Sequence, residues 1–343
     1  MSKGLNERAA RKLVLRRVPE GLTTNEDFSV EEQPVPDAGP GQVVVETHYI
    51  GVDAALRLIV RDSDEFLFRV RPGDLVHGSG AGRVLESRHD AFQAGDYVLG
   101  SWGVQSHACI DGAQLSAVDV NQASLRSWLG GFGVSGLTAY FALYEECKPQ
   151  PGQTVLVNGA AGAVGSMAGQ FARLAGARTI GVTSSDEKCR WLVETLGYDA
   201  AINYRTESLG ECLPELAPQG VDVIFDNIGG QVLDDSLPSI AMHGVVLLCG
   251  STSQYSEKVM QGPANYIWLG TMRARLQGFV VFDYEDRYSQ ARERIARWVD
   301  DGKIILPEHI VRGDIEDFPA AFRSLYEGEN LGKMLLALPA AGG

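Results

Sequence analysis

The sequence predicts an α/β protein with two domains, one built on a parallel sheet and the other rich in β-strands. The first observation behind this prediction is the stretch 154–176, where a short apolar strand leads through closely spaced glycines into a helical pattern. The second is an alternation of apolar, strand-like runs with helical segments that continues to residue 300. Near-continuous apolar strands at this spacing are typical of a parallel sheet covered by helices on both faces.

The glycines of the central stretch are Gly159, Gly162 and Gly165, at three-residue spacing. Apolar residues then recur at helical spacing, at Val164, Met167, Ala168, Phe171 and Leu174. A strand, a tight turn and a helix in this order aim free N–H groups and the positive end of the helix dipole at one point, which suits a pyrophosphate. Glycine is required there because a Cβ would block the approach of the phosphate. The pattern therefore predicts dinucleotide binding by a doubly wound sheet, the Rossmann arrangement.

Five further apolar runs follow the glycine turn and complete a sheet of six predicted strands. They lie at 178–183, 200–204, 221–226, 244–249 and 276–281, and helices are predicted at 186–196 and 290–300. The segment 304–338 returns to strand-like pieces around one helix at 318–326. Because the six-strand sheet is already complete, we expect this tail to rejoin the first domain.

The first domain is predicted to be a small barrel. Its clearest strand covers 43–50, after a turn at 37–41, and the run 75–85 is broken by Gly78, Gly80 and Gly82, as in tightly turning strands. The predicted boundaries are 1–127 for this domain, 128–302 for the dinucleotide-binding domain and 303–343 for the returning segment.

Composition and charge exclude several classes of function. A chain of 343 residues with 45% hydrophobic and 22% charged residues is ordinary for a soluble globular protein, and no stretch is long enough to span a membrane. The net charge of −14 argues against nucleic acid or an anionic membrane as a partner. The five cysteines lack the spacing of a disulfide or zinc framework and suit free thiols in a reducing cytoplasm. The six histidines show no ligand spacing either, so we expect no metal site.

The end of the second strand of a dinucleotide fold distinguishes NAD from NADP. An acid there accepts hydrogen bonds from the ribose hydroxyls, whereas a 2′-phosphate requires a cation. Here Ser185 and Asp186 follow the strand, Lys188 lies just inside the next helix, and Arg205 follows the next strand. Asp186 stands where an acid that selects NAD would lie, but Ser185 and Asp186 also fit a helix N-cap. We favour the interpretation of Ser185 and Asp186 as a helix N-cap, and we therefore predict that the cofactor is NADP.

The chain resembles the zinc-independent medium-chain dehydrogenase/reductases. Within that family it is most similar to the group that contains leukotriene B4 12-hydroxydehydrogenase, prostaglandin reductase and the 2-alkenal or curcumin-type reductases. The resemblance extends over nearly the whole chain. The matching motifs, in the family's order, are residues 158–165, 185–188, 203–204, 225–230, 249–251, 277–281 and 330–333. The resemblance implies a GroES-like catalytic domain beside the Rossmann domain, and it implies NADP as the cofactor. We also expect a homodimer.

The resemblance also implies roles for individual residues. Gly162, Ala163, Val164 and Gly165 would hold the pyrophosphate, and Ser185, Lys188 and Tyr204 would lie at the adenosine 2′-phosphate. The ribose and nicotinamide would be lined by Asn227, Cys249, Gly250, Ser251, Tyr255, Phe279, Val280, Val281 and Asn330. Phe279 and Val281 would look the same as ordinary core residues of a strand.

The implied reaction is NADPH-dependent reduction of the C=C bond of an α,β-unsaturated aldehyde or ketone. A family tyrosine is replaced by Thr271, and the family's substrate-entrance and proline motifs are altered at 53–57 and 134–140. The remaining donors for the enolate oxygen are the ribose 2′-hydroxyl, Tyr49 and Tyr255, although Tyr49 equally fits a half-buried strand residue. Two alternatives stay open, a quinone reductase of the same superfamily and a non-catalytic NADPH-binding protein.

Overall fold

The computed structural model describes residues 9–61 and 69–339, and these form two compact units. One unit takes the described residues up to Leu129, together with Glu308–Glu329 and those from Met334 onward. The other comprises Gly130–Pro307 and Asn330–Lys333. We call the first the β-rich unit and the second the nucleotide unit. The ends of the chain, which the predicted domains 1–127 and 303–343 include, lie outside the described residues.

The strands, numbered in chain order, are β1 Ala9–Leu15, β2 Phe28–Pro34, β3 Gln42–Gly51, β4 Gly80–Ser87, β5 Tyr97–Gly100, β6 His107–Asp111, β7 Ser116–Val118, β8 Thr154–Asn158, β9 Arg178–Thr183, β10 Ala200–Asn203, β11 Val221–Asp226, β12 Ile240–Leu248, β13 Arg275–Gly278, β14 Glu308–Arg312 and β15 Lys333–Ala337.

The α-helices are α1 Leu56–Ile59, α2 Leu125–Leu129, α3 Val134–Phe141, α4 Gly165–Leu174, α5 Asp186–Glu194, α6 Leu209–Leu216, α7 Gly230–Ser236, α8 Ile267–Thr271, α9 Tyr288–Asp300 and α10 Phe318–Glu327. Helix α3 continues into a π-helix, Ala142–Cys147.

The nucleotide unit is built on a six-stranded sheet in the order β10-β9-β8-β11-β12-β13, and its neighbouring strands are all parallel. This confirms the predicted doubly wound sheet, because the order reverses between β8 and β11. The strands are apolar on both faces and contribute Leu156, Ile180, Ile202, Ile224 and Val246 to one buried core. Helices between successive strands supply the covering layers.

Several predicted strands differ from the structure at their ends. The run predicted at 244–249 begins earlier, since β12 covers Ile240–Leu248. The prediction of a strand over 276–281 was wrong beyond Gly278, because the partner strand β12 ends at Leu248, which pairs with Gly278. In the β-rich unit, the predicted run 75–85 becomes a strand only from Gly80. A Cβ at Gly80 would lie 2.4 Å from the Trp102 ring, so this strand can pass the indole only with glycine there.

The β-rich unit contains a seven-stranded sheet in the order β14-β15-β3-β4-β5-β7, with β6 paired to β3, and a separate hairpin of β1 and β2. Strand β15 pairs with β3, opposite Gly51 and Tyr49, so the end of the chain supplies strands to this sheet. The main core of the unit packs Leu13, Leu15 and Ile50 against Phe318 and Phe322 of α10.

A buried carboxylate joins the carboxyl ends of β8 and β11. Asp226 is fully buried, and its oxygens accept hydrogen bonds from Asn158 Nδ2 at 3.0 Å and from the Gly229 amide at 2.9 Å. The Asn227 side chain closes the same turn by donating to the Asn158 carbonyl at 2.8 Å. Burial raises the pKa of Asp226 from 3.8 to about 6, although the hydrogen bond from Asn158 works against the rise.

The raised pKa of Asp226 makes a prediction about stability and pH. The folded protein binds the Asp226 proton more tightly than the unfolded chain does. The contribution of Asp226 to the free energy of unfolding is therefore greatest below pH 4, and it is lost as the pH rises through about 6. We expect Asp226→Asn to remove this dependence. The free energy of unfolding of the wild type, measured relative to Asp226→Asn by urea titration, should fall by up to about 3 kcal/mol between pH 4 and 7. A difference that is constant with pH would contradict the prediction.

Candidate functional site

The glycine turn lies between the end of β8 and the start of α4. Gly159 has a φ of +72°, and a Cβ on Gly165 would lie 2.3 Å from the Gly159 carbonyl oxygen, so both positions require glycine. A Cβ on Gly162 would meet only that same oxygen, at 3.4 Å, which leaves the other side of the turn open. The N–H groups of Ala163 and Val164 form no hydrogen bond within the described residues. The turn can therefore present free donors to an anion at the start of a ten-residue helix.

A second segment of the nucleotide unit packs on this turn. The Gly332 amide donates to the Ala161 carbonyl at 2.8 Å, and Gly332 forms a parallel bridge with Gly162. Asn330 is buried, and its side-chain amide donates to the Gly332 carbonyl at 2.8 Å. Asn330, which the resemblance places at the nicotinamide end of the cofactor, thus holds a turn that adjoins the glycines. Sequence reasoning missed this pairing.

The end of β9 carries the predicted cap of helix α5. The Ser185 hydroxyl accepts the Lys188 amide at 3.3 Å, which confirms the N-cap. The Asp186 carboxylate accepts a hydrogen bond from Asn203 Nδ2 at 2.6 Å, so this acid is engaged with the neighbouring strand. The local fold therefore matches the cap rather than an acid reserved for ribose hydroxyls.

Two cations beside this cap influence each other electrostatically. Lys188 is buried, and its pKa is lowered first by burial and then by the charge of Arg205, against the opposite effect of Glu187. Arg205 follows β10, where its amide donates to Asn203 Oδ1 at 3.1 Å, and the Tyr204 amide beside it donates to the Thr183 carbonyl. A buried ammonium next to a guanidinium is unfavourable until an anion joins them. These residues fit a phosphate group.

The turn after β12 is hydrogen-bonded to the backbone of Asp226 at the end of β11. The amides of Cys249 and Gly250 both donate to the Asp226 carbonyl, at 2.9 and 3.1 Å. Tyr255 is buried, and its hydroxyl oxygen accepts the Ser251 amide at 3.1 Å. The turn is thus fixed on both sides, and the Tyr255 proton remains available for donation.

Both titratable side chains of this turn stay protonated near neutral pH. Burial raises the pKa of the Cys249 thiol to about 12, with a further contribution from the Asp226 charge. The pKa of Tyr255 is also raised, mainly by burial, against the Ser251 hydrogen bond. Tyr255 is therefore a hydrogen-bond donor in this site, whereas Cys249 is a weakly nucleophilic thiol.

The segment after β13 alternates between buried and exposed side chains. Val281 is 7% exposed, whereas Val280 is 52% exposed, and Phe279 lies between these extremes. Thr271 ends the short helix α8, and its hydroxyl donates to the Ile267 carbonyl at 3.2 Å. The hydroxyl at the position of the family tyrosine is thus engaged with its own helix.

Tyr49 lies in the β-rich unit, on β3. Its ring is half-buried and packs on a cluster that includes Ala81, Leu125 and Leu335. Within the described residues its hydroxyl has no hydrogen-bond partner. The contacts are those of a strand aromatic, with a hydroxyl left available as a donor.

No group of three or more His, Cys, Asp or Glu side chains within residues 9–61 and 69–339 is placed to hold a metal ion. The five cysteines are all free thiols. Over the same ranges, no helix is long and apolar enough to cross a membrane.

Two family models match the chain. One, described as the N-terminal domain of oxidoreductase, matches residues 11–118, and the other, described as zinc-binding dehydrogenase, matches residues 163–297. The described residues do not fit the zinc that the second description mentions, because they contain no suitable ligand group.

Relatives that match nearly the whole chain identify its family more specifically than the two family models do. Prostaglandin reductase 1 of Bos taurus is 38% identical, over 95% of this chain and 98% of the relative. The NADPH-dependent curcumin reductase of Escherichia coli is 33% identical, over 97% of this chain and 98% of the relative. The crystal structure of CurA from Vibrio vulnificus in complex with NADPH has a TM-score of 0.90 and 33% identity, over 96% of this chain and 99% of that one. The chain therefore belongs to the medium-chain dehydrogenase/reductase family, in its group of prostaglandin, alkenal and curcumin reductases.

Proposed function

We propose that the protein is an NADPH-dependent reductase of the C=C bond of α,β-unsaturated aldehydes and ketones. The observation that carries the choice of cofactor is the buried Lys188 of α5, whose pKa is lowered by burial and by the charge of Arg205, which follows β10. The glycine turn at the carboxyl end of the neighbouring strand β8 would supply the pyrophosphate site. The C=C bond as the reacting group is supported by the alkenal, prostaglandin and curcumin reductases among the relatives.

The proposed cofactor contacts follow the motif residues of the family. Ala163 and Val164 donate backbone hydrogen bonds to the pyrophosphate, and Lys188 with Tyr204 binds the 2′-phosphate. The remaining proposed contacts are Gly162, Gly165, Ser185, Asn227, Cys249, Gly250, Ser251, Tyr255, Phe279, Val280, Val281 and Asn330. When bound, NADPH supplies a hydride to the β-carbon of the substrate, so negative charge develops on the carbonyl oxygen. The protein must then stabilise that oxygen with a hydrogen-bond donor.

A side-by-side panel of substrates tests this function. Purified protein should oxidise NADPH with enones and 2-alkenals, and much more slowly with quinones of similar size. Faster turnover of quinones would make the protein a quinone reductase. Tight binding of NADPH without turnover of either class would make it a non-catalytic NADPH-binding protein.

The 2′-phosphate assignment is tested by Lys188→Met, which keeps most of the buried side-chain volume. We expect NADPH binding to weaken by about tenfold to hundredfold, since a charge-assisted hydrogen bond contributes roughly 1.5–3 kcal/mol. NADH lacks the 2′-phosphate, so its affinity should change little. Fluorescence titration with both cofactors measures the difference, and equal losses for the two would refute the assignment.

We propose that the protein donor to the enolate oxygen is either Tyr255 or Tyr49. Tyr255→Phe and Tyr49→Phe keep the ring and its packing but remove the hydroxyl. Loss of the true donor should lower kcat on the order of 10²–10³-fold, with a much smaller change in KM. We expect the larger loss for Tyr255, because the Ser251 amide already fixes its oxygen. Near wild-type kcat in both variants would remove both residues from the mechanism.

We also propose that the protein is a homodimer. Strand β13 lies at the open edge of the nucleotide sheet, and its Leu276 is 44% exposed. An uncovered edge with apolar side chains favours pairing with a second copy. Light scattering in solution should give a mass of about two chains. A mass of 37.0 kDa, which is that of one chain, would contradict the proposal.

A further inference from the structure

The π-helix Ala142–Cys147 carries two consecutive acids that bind the same distant segment. Its side chains Glu145 and Glu146 accept hydrogen bonds from Arg287 and from the Tyr284 hydroxyl, respectively. Their partners belong to a 3₁₀-helical segment, Val281–Arg287, that follows β13 directly. π-Helical turns are rare and often occur at functional sites, which prompts the question of what this one positions.

The contact between the two elements has an aromatic component as well. The Phe141 ring, at the end of α3, stacks on Tyr284 with centroids 4.6 Å apart and planes 11° apart. The Arg287 guanidinium lies 5.6 Å from the centre of the Phe141 ring. Burial and the bond to Glu146 raise the pKa of Tyr284 to about 12, so its hydroxyl remains a donor.

The same anchoring extends to both ends of the segment that is proposed to contact nicotinamide. On the strand side, Arg275 Nη2 donates to the Glu146 carbonyl at 3.2 Å. On the helix side, the Tyr288 hydroxyl donates to the Val281 carbonyl at 3.1 Å. The exposed side chains Val280 and Phe282, at 52% and 56%, contribute little packing to hold the segment between these points.

We propose that Glu146, through Tyr284, is a positioning residue that holds residues 279–281 against the nicotinamide end of the cofactor. The proposal rests on the proposed function, which places those residues in the nicotinamide site. Because exposed side chains flank the buried Val281, the bond from Tyr284 to Glu146 helps to fix how close the Phe279–Val281 backbone lies to its ligand. The adenosine end of the cofactor, at Lys188 and the glycine turn, does not depend on this contact.

The test compares two ligands that share the adenosine end. NADPH carries the nicotinamide, whereas adenosine 2′,5′-bisphosphate lacks it. Tyr284→Phe keeps the ring stacked on Phe141 and removes only the hydroxyl. We expect the Kd of NADPH to rise by about threefold to tenfold, since a hydrogen bond to a charged group is lost, while the Kd of the bisphosphate stays unchanged.

Tyr144→Phe is the matched control, because Tyr144 lies on the same π-helix and donates its hydroxyl to the Phe171 carbonyl at 3.0 Å. This variant also loses one tyrosine hydroxyl hydrogen bond, here to a neutral carbonyl, and it leaves the segment Val281–Arg287 unchanged. The ratio of the NADPH Kd to the bisphosphate Kd should therefore equal that of the wild type. Glu146→Gln keeps an acceptor oxygen and should restore much of the NADPH affinity that Glu146→Ala loses.

Either of two results would overturn the positioning role. One is an equal loss of affinity for both ligands in Tyr284→Phe, which would indicate general destabilisation. The other is an unchanged Kd for NADPH in that variant. The proposed function fails separately, if the wild type itself does not bind NADPH or turns over no enone.

Discussion

The close contact between Gly165 and the Gly159 carbonyl fixes the start of helix α4 over the end of strand β8. With only 2.3 Å available for a Cβ, no other residue permits this approach. The turn in between is left with free amides at Ala163 and Val164. Every other part of the candidate site is arranged around that turn. Gly332 pairs with it, and the buried Asp226 ties the end of the neighbouring strand to Asn158.

The two ends of the site differ in their physical character. At the proposed adenosine end, Lys188 and Arg205 create a local positive charge in a chain whose net charge is −14. Such a concentrated site can select a 2′-phosphate although the protein as a whole repels anions. At the end where we propose that nicotinamide binds, Cys249 and Tyr255 are neutral, since both stay protonated. That end can donate hydrogen bonds to a developing enolate without offering a strong nucleophile to an electrophilic substrate.

Local sequence signals predicted the parts of the fold that local physics determines. Strands β9 and β11 have their predicted bounds because each is an apolar run ended by polar or turn residues. The Ser185 cap was predictable for the same reason. The π-helix was not, because Ala142–Cys147 has the apolar spacing of an ordinary helix end. The contacts of Glu146 with Tyr284 and of Gly332 with Ala161 join residues far apart in the chain, and no local pattern encodes them.

In the proposed reaction, hydride reaches the β-carbon of an enone while a protein donor stabilises the oxygen. The most direct measurement is the position of deuterium after reduction of a simple aryl enone with NADPH deuterated at C4 of the nicotinamide. Hydride transfer to the C=C bond should give a saturated ketone with deuterium on the β-carbon, which NMR detects. Deuterium on the carbonyl carbon of an allylic alcohol would contradict it, because the protein would then reduce the C=O bond and leave the C=C bond intact.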